Sequence, residues 1–215
     1  MKILLVDDHQ IVCDGLRMCL DADSRHEVVG EAADGRSAIQ MAGELEPDVI
    51  IMDVGMPKMN GIEAARQILQ DRPGKVKIIC LSMHADREFI AEAFRAGVAG
   101  YLLKSSAFEE LDQALDQIAA GRKYISPAIS DIVIQDYVQQ GSGAEPSPFS
   151  TLTSRERQIL QMLAEGHTAK AIGSVLGISH KTVHAFRGQI MTKLDITSLP
   201  ELTKYAIRHG LTVVE

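Results

Sequence analysis

From its amino end the chain alternates short apolar runs with longer stretches whose apolar residues return every three or four positions. Ile3–Val6, Glu27–Ala32, Val49–Asp53, Lys77–Leu81 and Gly100–Leu103 read as strands. The stretches near 9–21, 35–45, 61–71, 86–96 and 107–120 read as the helices between them. Val49-Ile50-Ile51-Met52 is apolar without interruption, as in a strand covered on both faces of a parallel sheet. Five β/α pairs in succession predict an α/β doubly wound (β/α)5 domain over residues 1–121. Ser106, with Glu109 three positions on, predicts a capping box for the fifth helix, and Gly121 predicts its stop.

After Gly121 the pattern changes. Ser126–Gln140 reads as one more helix, and Gly141-Ser142-Gly143-Ala144-Glu145-Pro146-Ser147-Pro148 as a flexible linker, so residues 122–150 join two domains. A second domain, 151–215, opens on the capping box Thr153/Glu156. Ile159, Leu160, Met162 and Leu163 line its first helix, which Gly166 ends. Thr168–Leu176, the turn Gly177-Ile178-Ser179, a helix from His180 to about Leu194, and a last one from Ser198 (with Glu201) to Gly210 complete a small all-α four-helix domain.

With 46% hydrophobic and 24% charged residues, the composition is that of a packed protein and excludes a disordered one. Its 4% aromatics and lack of Trp predict an aliphatic core. The net charge of −7 is uneven: residues 1–125 carry −7, residues 126–150 carry −3 and residues 151–215 carry +3. An acidic first domain and a basic last one imply different partners. Cys13, Cys19 and Cys80 are an odd number without metal-ligand spacing and read as reduced core residues. Met1-Lys2-Ile3-Leu4-Leu5-Val6 meets Asp7 and Asp8 too soon for a signal-peptide core, and no apolar run approaches the ~18 residues of a membrane span, so a cytoplasmic protein without a membrane partner is expected.

The candidate chemistry lies where the strands end. Asp7 and Asp8, Asp53, Ser82 and Lys104 follow or close four of the five strands, and doubly wound topology brings those ends to one edge. Three crowded carboxylates call for a cation. Hard oxygen ligands favour Mg2+, which leaves room for a phosphoryl group. Lys104 suits phosphoryl oxygens as a point charge, Ser82 can donate a hydrogen bond to one of them, and Asp53 is the natural nucleophile.

Asp7-Asp8, Asp53 within Asp-x-x-Met-Pro-x-x-x-Gly, Ser82, Tyr101 and Lys104 together resemble the receiver domain of bacterial two-component response regulators, over roughly the first 120 residues. The resemblance implies a flavodoxin-like parallel sheet, and a phosphoryl group taken by Asp53 from the phosphohistidine of a sensor histidine kinase. It implies Mg2+ held by Asp8, Asp53 and the Gly55 carbonyl, with Asp7 supporting, and Tyr101 as a switch that turns inward as Ser82 moves toward the phosphoryl. His84 and Gly55 stand where that family tunes phosphoryl lifetime. Lys104 is followed by Ser105, where many receivers have Pro.

In the second domain, two helices around Gly177-Ile178-Ser179 form a helix-turn-helix candidate. On the second of them Val183, Ile190 and Leu194 share the core face, while Lys181, Ala185, Gly188 and Thr192 lie opposite, with His184 nearby. Small residues there permit close approach to base edges, and Lys181 and Lys193 suit phosphates. Arg187 lies nearer the core boundary, where its stem can pack while its head reaches out to the DNA. Leu152-Thr153-Ser154-Arg155-Glu156-Arg157, Ile178-Ser179-His180-Lys181-Thr182-Val183 and Lys193-Leu194 resemble the LuxR-type DNA-binding domain; joined to a receiver, they indicate the NarL/FixJ class. That resemblance implies that Lys181, Thr182, His184, Ala185 and Gly188 approach double-stranded DNA. Ala171 (usually Glu), Gly173 (commonly Ala) and Phe186 (usually His) depart from the pattern.

The expectation is a transcription factor switched by phosphorylation at Asp53. Without the phosphoryl group the receiver masks the recognition helix or holds the chain monomeric; with it, homodimers form on paired half-sites and engage RNA polymerase. Two other functions compete with this one. A phosphatase working through an aspartyl-phosphate would need an acid two residues after Asp53, where Gly55 stands. An unswitched DNA-binding or scaffold protein would have an inert receiver, yet every acid and the lysine are in place.

Overall fold

In a computed structural model, residues 1–83, 85, 87–130, 151–208 and 211–212 are described. The chain divides into two compact units, Met1–Ser142 and Gly143–Glu215. The first contains, in order, β1 (Lys2–Val6), α1 (Gln10–Asp21), β2 (Glu27–Ala32), α2 (Gly35–Leu45), β3 (Val49–Asp53), α3 (Gly61–Asp71), β4 (Lys77–Ser82), α4 (Arg87–Ala96), β5 (Gly100–Leu103), α5 (Ala107–Ala119) and β6 (Tyr124–Ile125). All pairings are parallel, in the order β2-β1-β3-β4-β5-β6. The doubly wound sheet is thus as expected, with one strand more than the sequence pattern offers.

Alternate residues of each central strand serve opposite cores, which is why those strands are apolar throughout. Ile3, Leu5, Val49, Ile51, Ile79, Leu81 and Leu102 pack under α1 and α5, against Leu16, Leu20, Leu111, Leu115 and Ile118. The other face carries α2, α3 and α4. Asp34 caps α2 by accepting from the Arg36 and Ser37 amides, each at 2.9 Å, and Asn60 caps α3 by accepting from the Glu63 amide at 2.9 Å.

Two expectations need correction. The capping box of α5 does not form: Ser106 has φ −120° and ψ 2°, outside the extended backbone an N-cap serine uses, and makes no side-chain cap bond. Its hydroxyl lies instead 3.3 Å from that of Ser126. Residues 124–125, assigned to the junction between domains, pair with Gly100 and Tyr101 as β6. Glu110 anchors the strand, accepting from the Tyr124 hydroxyl at 3.2 Å and from the Ser126 hydroxyl at 2.8 Å. No peptide bond among the described residues is cis, Lys104–Ser105 included. Most of the expected helix Ser126–Gln140, the linker 141–148, His84 and the expected stop at Gly210 lie outside the described residues.

At the amino-terminal ends of the strands His26 is enclosed, its side chain 1% exposed, with Nε2 3.9 Å from Asp23 Oδ2. Neither ring nitrogen has a hydrogen-bond partner among the described residues. Burial holds its pKa below the ordinary histidine value, helped by the charges of the amino terminus and Arg25 and opposed by Asp23 and Asp112. The unfolded chain therefore takes up this proton first, so the stability His26 contributes is complete above the unfolded value of ~6.5 and is lost as pH falls through the folded one. Wild-type protein should lose Tm relative to His26→Leu between about pH 7.5 and about pH 5, the window around that reference value; parallel Tm curves from circular dichroism would refute this.

The second unit contains α6 (Ser154–Ala164), α7 (Ala169–Leu176), α8 (His180–Lys193) and α9 (Leu199–Arg208). Both expected capping boxes form: the Glu156 amide donates to Thr153 Oγ1 at 3.2 Å, and the Glu201 amide to Ser198 Oγ at 3.4 Å. The two glutamates return the bond to the Thr153 and Ser198 amides at 2.8 and 3.2 Å. Ala171 leaves α7 with half a box, the Thr168 hydroxyl accepting from the Ala171 amide at 3.2 Å. Gly177 (φ 66°) closes α7 in the left-handed region. A Cβ on Gly173 would stand 2.6 Å from the Ile178 carbonyl, so the glycine lets the turn fold back on α7.

Candidate functional site

Strand β1 lies between β2 and β3, so the chain direction of winding reverses between β1 and β3 and opens a crevice beyond their carboxyl ends. Val6 stands opposite Met52, which places the next residues, Asp7 and Asp53, side by side, each 3% exposed. Lys104, directly after β5, bridges them: its Nζ is 2.6 Å from Asp7 Oδ2 and 2.9 Å from Asp53 Oδ2. Its amide donates to the Ser82 carbonyl at 2.8 Å, tying that lysine to the end of β4. The Gly55 amide donates to Asp53 Oδ1 at 3.1 Å. Both oxygens of Asp53 are thus held, one by a cation and one by the backbone.

Burial, and after it the charge of Asp7, raise the Asp53 pKa above the ordinary carboxylate value although Lys104 pulls the other way. Burial also opposes the charge of Lys104, but Asp53 and Asp7 prevail and hold its pKa above the usual value. Asp8 is exposed, and His9 covers it with Nδ1 3.0 Å from Asp8 Oδ1 and 3.3 Å from Asp7 Oδ1. One ligand atom from each of Asp7, Asp8, His9 and Asp53 can be chosen so that all lie within 4.8 Å of one another. Three carboxylates around one ammonium leave negative charge in excess, and their hard oxygens fit a divalent cation such as Mg2+.

Ser82 is buried at the end of β4, opposite Leu103 in the register. Tyr101, on β5, is 0% exposed. Asp7, Asp8, Asp53 and Lys104 meet directly, while Ser82 and Tyr101 lie on the strands beside them. Gly61 closes the Asp-x-x-Met-Pro-x-x-x-Gly motif that begins at Asp53. A Cβ there would stand 1.9 Å from the Asp53 carbonyl oxygen, so the start of α3 rests on the backbone of Asp53 itself. His9 joins the cluster too, and its one sequence signal is its place directly after the paired acids.

On α8 the face division is as expected. Val183, Ile190 and Leu194 are buried, while Lys181, Thr182, His184, Ala185 and Gly188 are exposed and Arg187 is half-buried. The helix starts at Ser179, whose hydroxyl accepts from the Thr182 amide at 3.1 Å. Lys193 turns away from the other candidate contacts: its Nζ donates to Glu156 Oε2 at 2.7 Å and to the Thr151 carbonyl at 3.3 Å. Burial opposes the Glu156 charge, but Lys193 and the Thr153 amide and hydroxyl outweigh it and hold the carboxyl below its ordinary range. Lys193 therefore fastens α8 to the start of α6. Lys193→Ala should cost roughly 1–2 kcal/mol in urea unfolding, as a charged hydrogen bond is lost over a buried acid. Lys181→Ala should leave stability unchanged but weaken DNA binding on all sequences and reduce the salt slope by about one. Equal stabilities of the two variants would contradict this division.

Comparison with known proteins covers both units. Residues 3–116 match the model of the response regulator receiver domain, and residues 150–206 that of the bacterial regulatory proteins of the luxR family. The response regulator GacA of Pseudomonas aeruginosa is 39% identical over 213 residues, spanning 98% of this chain and 97% of that protein. The response regulator UvrY of Escherichia coli K12 is 39% identical over 219 residues, spanning 100% of this chain and 97% of that protein. Among solved structures, RcsB from Salmonella enterica serovar Typhimurium, bound to promoter DNA with the phosphomimetic BeF3−, superposes with a TM-score of 0.60 at 25% identity, covering 99% of each chain.

Proposed function

We propose that this chain, which belongs to the NarL/FixJ class of two-component response regulators and carries a LuxR-type DNA-binding domain, is switched by phosphorylation of Asp53. The observation that carries this is the position of Lys104 Nζ, within 3 Å of both Asp7 and Asp53 at the crevice where the sheet order reverses. An Asp53 oxygen attacks the phosphorus of a sensor kinase's phosphohistidine in line, forming the P–O bond as the P–N bond breaks. Lys104 neutralises the phosphoryl oxygens and Ser82 donates a hydrogen bond to one of them. Asp8, Asp53 and the Gly55 carbonyl would hold Mg2+, with Asp7 supporting, and the ion would offset the charge of the transferring group. Apart from this uptake and loss of its own phosphoryl group, the chain is no enzyme.

Lys181, Thr182, His184, Ala185 and Gly188 on the exposed face of α8 approach double-stranded DNA, with Arg187 at the rim. Phosphorylation frees that face or favours homodimers on paired half-sites, from which RNA polymerase is engaged. A regulator that binds DNA acts in the cytoplasm; no helix among the described residues is long and apolar enough to cross a membrane. The test selects genomic fragments separately with protein incubated with and without acetyl phosphate and Mg2+. It then measures the affinity of both forms for those fragments at one fixed salt concentration, since phosphate contacts are salt-dependent. Phosphorylation should tighten binding by at least about tenfold, within the usual range of coupling between sites. Equal affinities would remove the switch.

A further inference from the structure

We propose that His9 is a ligand of the divalent cation in the acidic crevice, and that its imidazole makes the site prefer a first-row transition dication such as Mn2+ over Mg2+. The inference deepens the metal reading above and rests on it. His9 occupies the N-cap of α1, where Ser, Thr, Asp or Asn would stabilise the helix start, yet its side chain makes no cap bond. The ring turns instead onto the carboxylates, 3.0 Å from Asp8 and 3.3 Å from Asp7, although 64% of it remains exposed. The backbone is placed to allow this, because the His9 amide donates to Asp7 Oδ1 at 2.9 Å. The buried acid thus fixes the base of the side chain beside the crevice.

The dimensions agree. Donors on opposite sides of one ion stand about 4.0–4.4 Å apart, from bond lengths of ~2.0–2.2 Å. The donor atoms of Asp7, Asp8, His9 and Asp53 span at most 4.8 Å, a few tenths of an ångström from closure. With the ring proton on Nε2, the Nδ1 lone pair is available. Exposure of the ring leaves it free to make the small rotation required. An imidazole among carboxylates adds little for Mg2+, which keeps oxygen ligands and waters, but favours first-row transition dications. The alternative is that His9 only orients Asp8 through a hydrogen bond. That role would assist every cation equally.

The experiment uses the full chain and two metals. Mn2+ binding is followed by the loss of its free-ion electron paramagnetic resonance signal, Mg2+ by competition, and directly coordinated nitrogen by electron spin-echo modulation of the bound Mn2+. Wild-type protein should show nitrogen modulation that disappears in His9→Ala. The variant should lose at least about tenfold in Mn2+ affinity, since loss of even an outer-shell partner costs ~10–100-fold, while Mg2+ affinity changes less than about twofold. Absence of nitrogen modulation in the wild type, modulation that survives in His9→Ala, or equal losses for both metals would each overturn the assignment of His9. Failure of the wild type to bind either metal would sink the metal reading beneath it, which is a different result.

Discussion

Asp53→Asn takes up no phosphate from acetyl phosphate or from a phosphorylated kinase, and it melts no lower than the wild type. The first half follows from chemistry: an amide oxygen is not a nucleophile toward phosphorus under conditions where a carboxylate is. The second half follows from the surroundings. Burial and the neighbouring charge of Asp7 both act against an ionised Asp53, and in the variant Lys104 keeps its contact with Asp7 at 2.6 Å. Removing one of two adjacent buried carboxylates relieves repulsion that Lys104 alone does not cancel. Radiolabel transfer and calorimetry on the same preparation check both statements. Wild-type labelling would show that another acid, with Asp8 the nearest exposed one, is the acceptor. A clear fall in Tm would show that the carboxylate serves the fold.

Gly61→Ala is expected to be the most damaging single-methyl change near the site, by about 3 kcal/mol or more, at the top of the range for overpacking. The added carbon would stand 1.9 Å from the Asp53 carbonyl oxygen and 2.8 Å from Met52 Cγ. A side chain could turn aside, but the carbonyl belongs to a strand paired on both edges, by Ile51 and Met52 to β1 and by Asp53 to β4. Relief must come from the start of α3, where the Gly61 amide donates to the Val54 carbonyl at 3.0 Å. Moving α3 shifts the loop that carries Gly55, whose amide holds Asp53 Oδ1. Urea unfolding should therefore show the loss in midpoint, and acetyl phosphate labelling should fall at a denaturant-free temperature where the variant remains folded. A variant with wild-type stability and labelling would mean the α3 start can slide without disturbing the phosphoacceptor.

Most of the sheet was legible because its signal is local. A residue's place in an apolar run or a helical period depends on its neighbours in the chain, and β1 to β5 and their helices follow from that. Val183, Ile190 and Leu194 are buried for the same reason. Motif spacing carried the acidic cluster equally far, since doubly wound topology brings the strand ends together whatever lies between them. Capping boxes were legible at Thr153, where the backbone before the helix is extended, and at Ser198, and illegible at Ser106, whose backbone is not extended.

Composition and periodicity thus determined which segments form elements, which faces they bury, and which polar residues arrive at the crevice. Tertiary structure alone decided what those residues touch. Two residues, Tyr124 and Ile125, became a strand because β5 had a free edge beside them. Lys193 went to Glu156, 37 positions earlier in the chain, and Gly61 met the carbonyl of Asp53. His9 turned from its helix to the acids. Such contacts depend on distances of a few ångströms between segments far apart in the chain or on a single side-chain rotation. Periodicity records neither quantity.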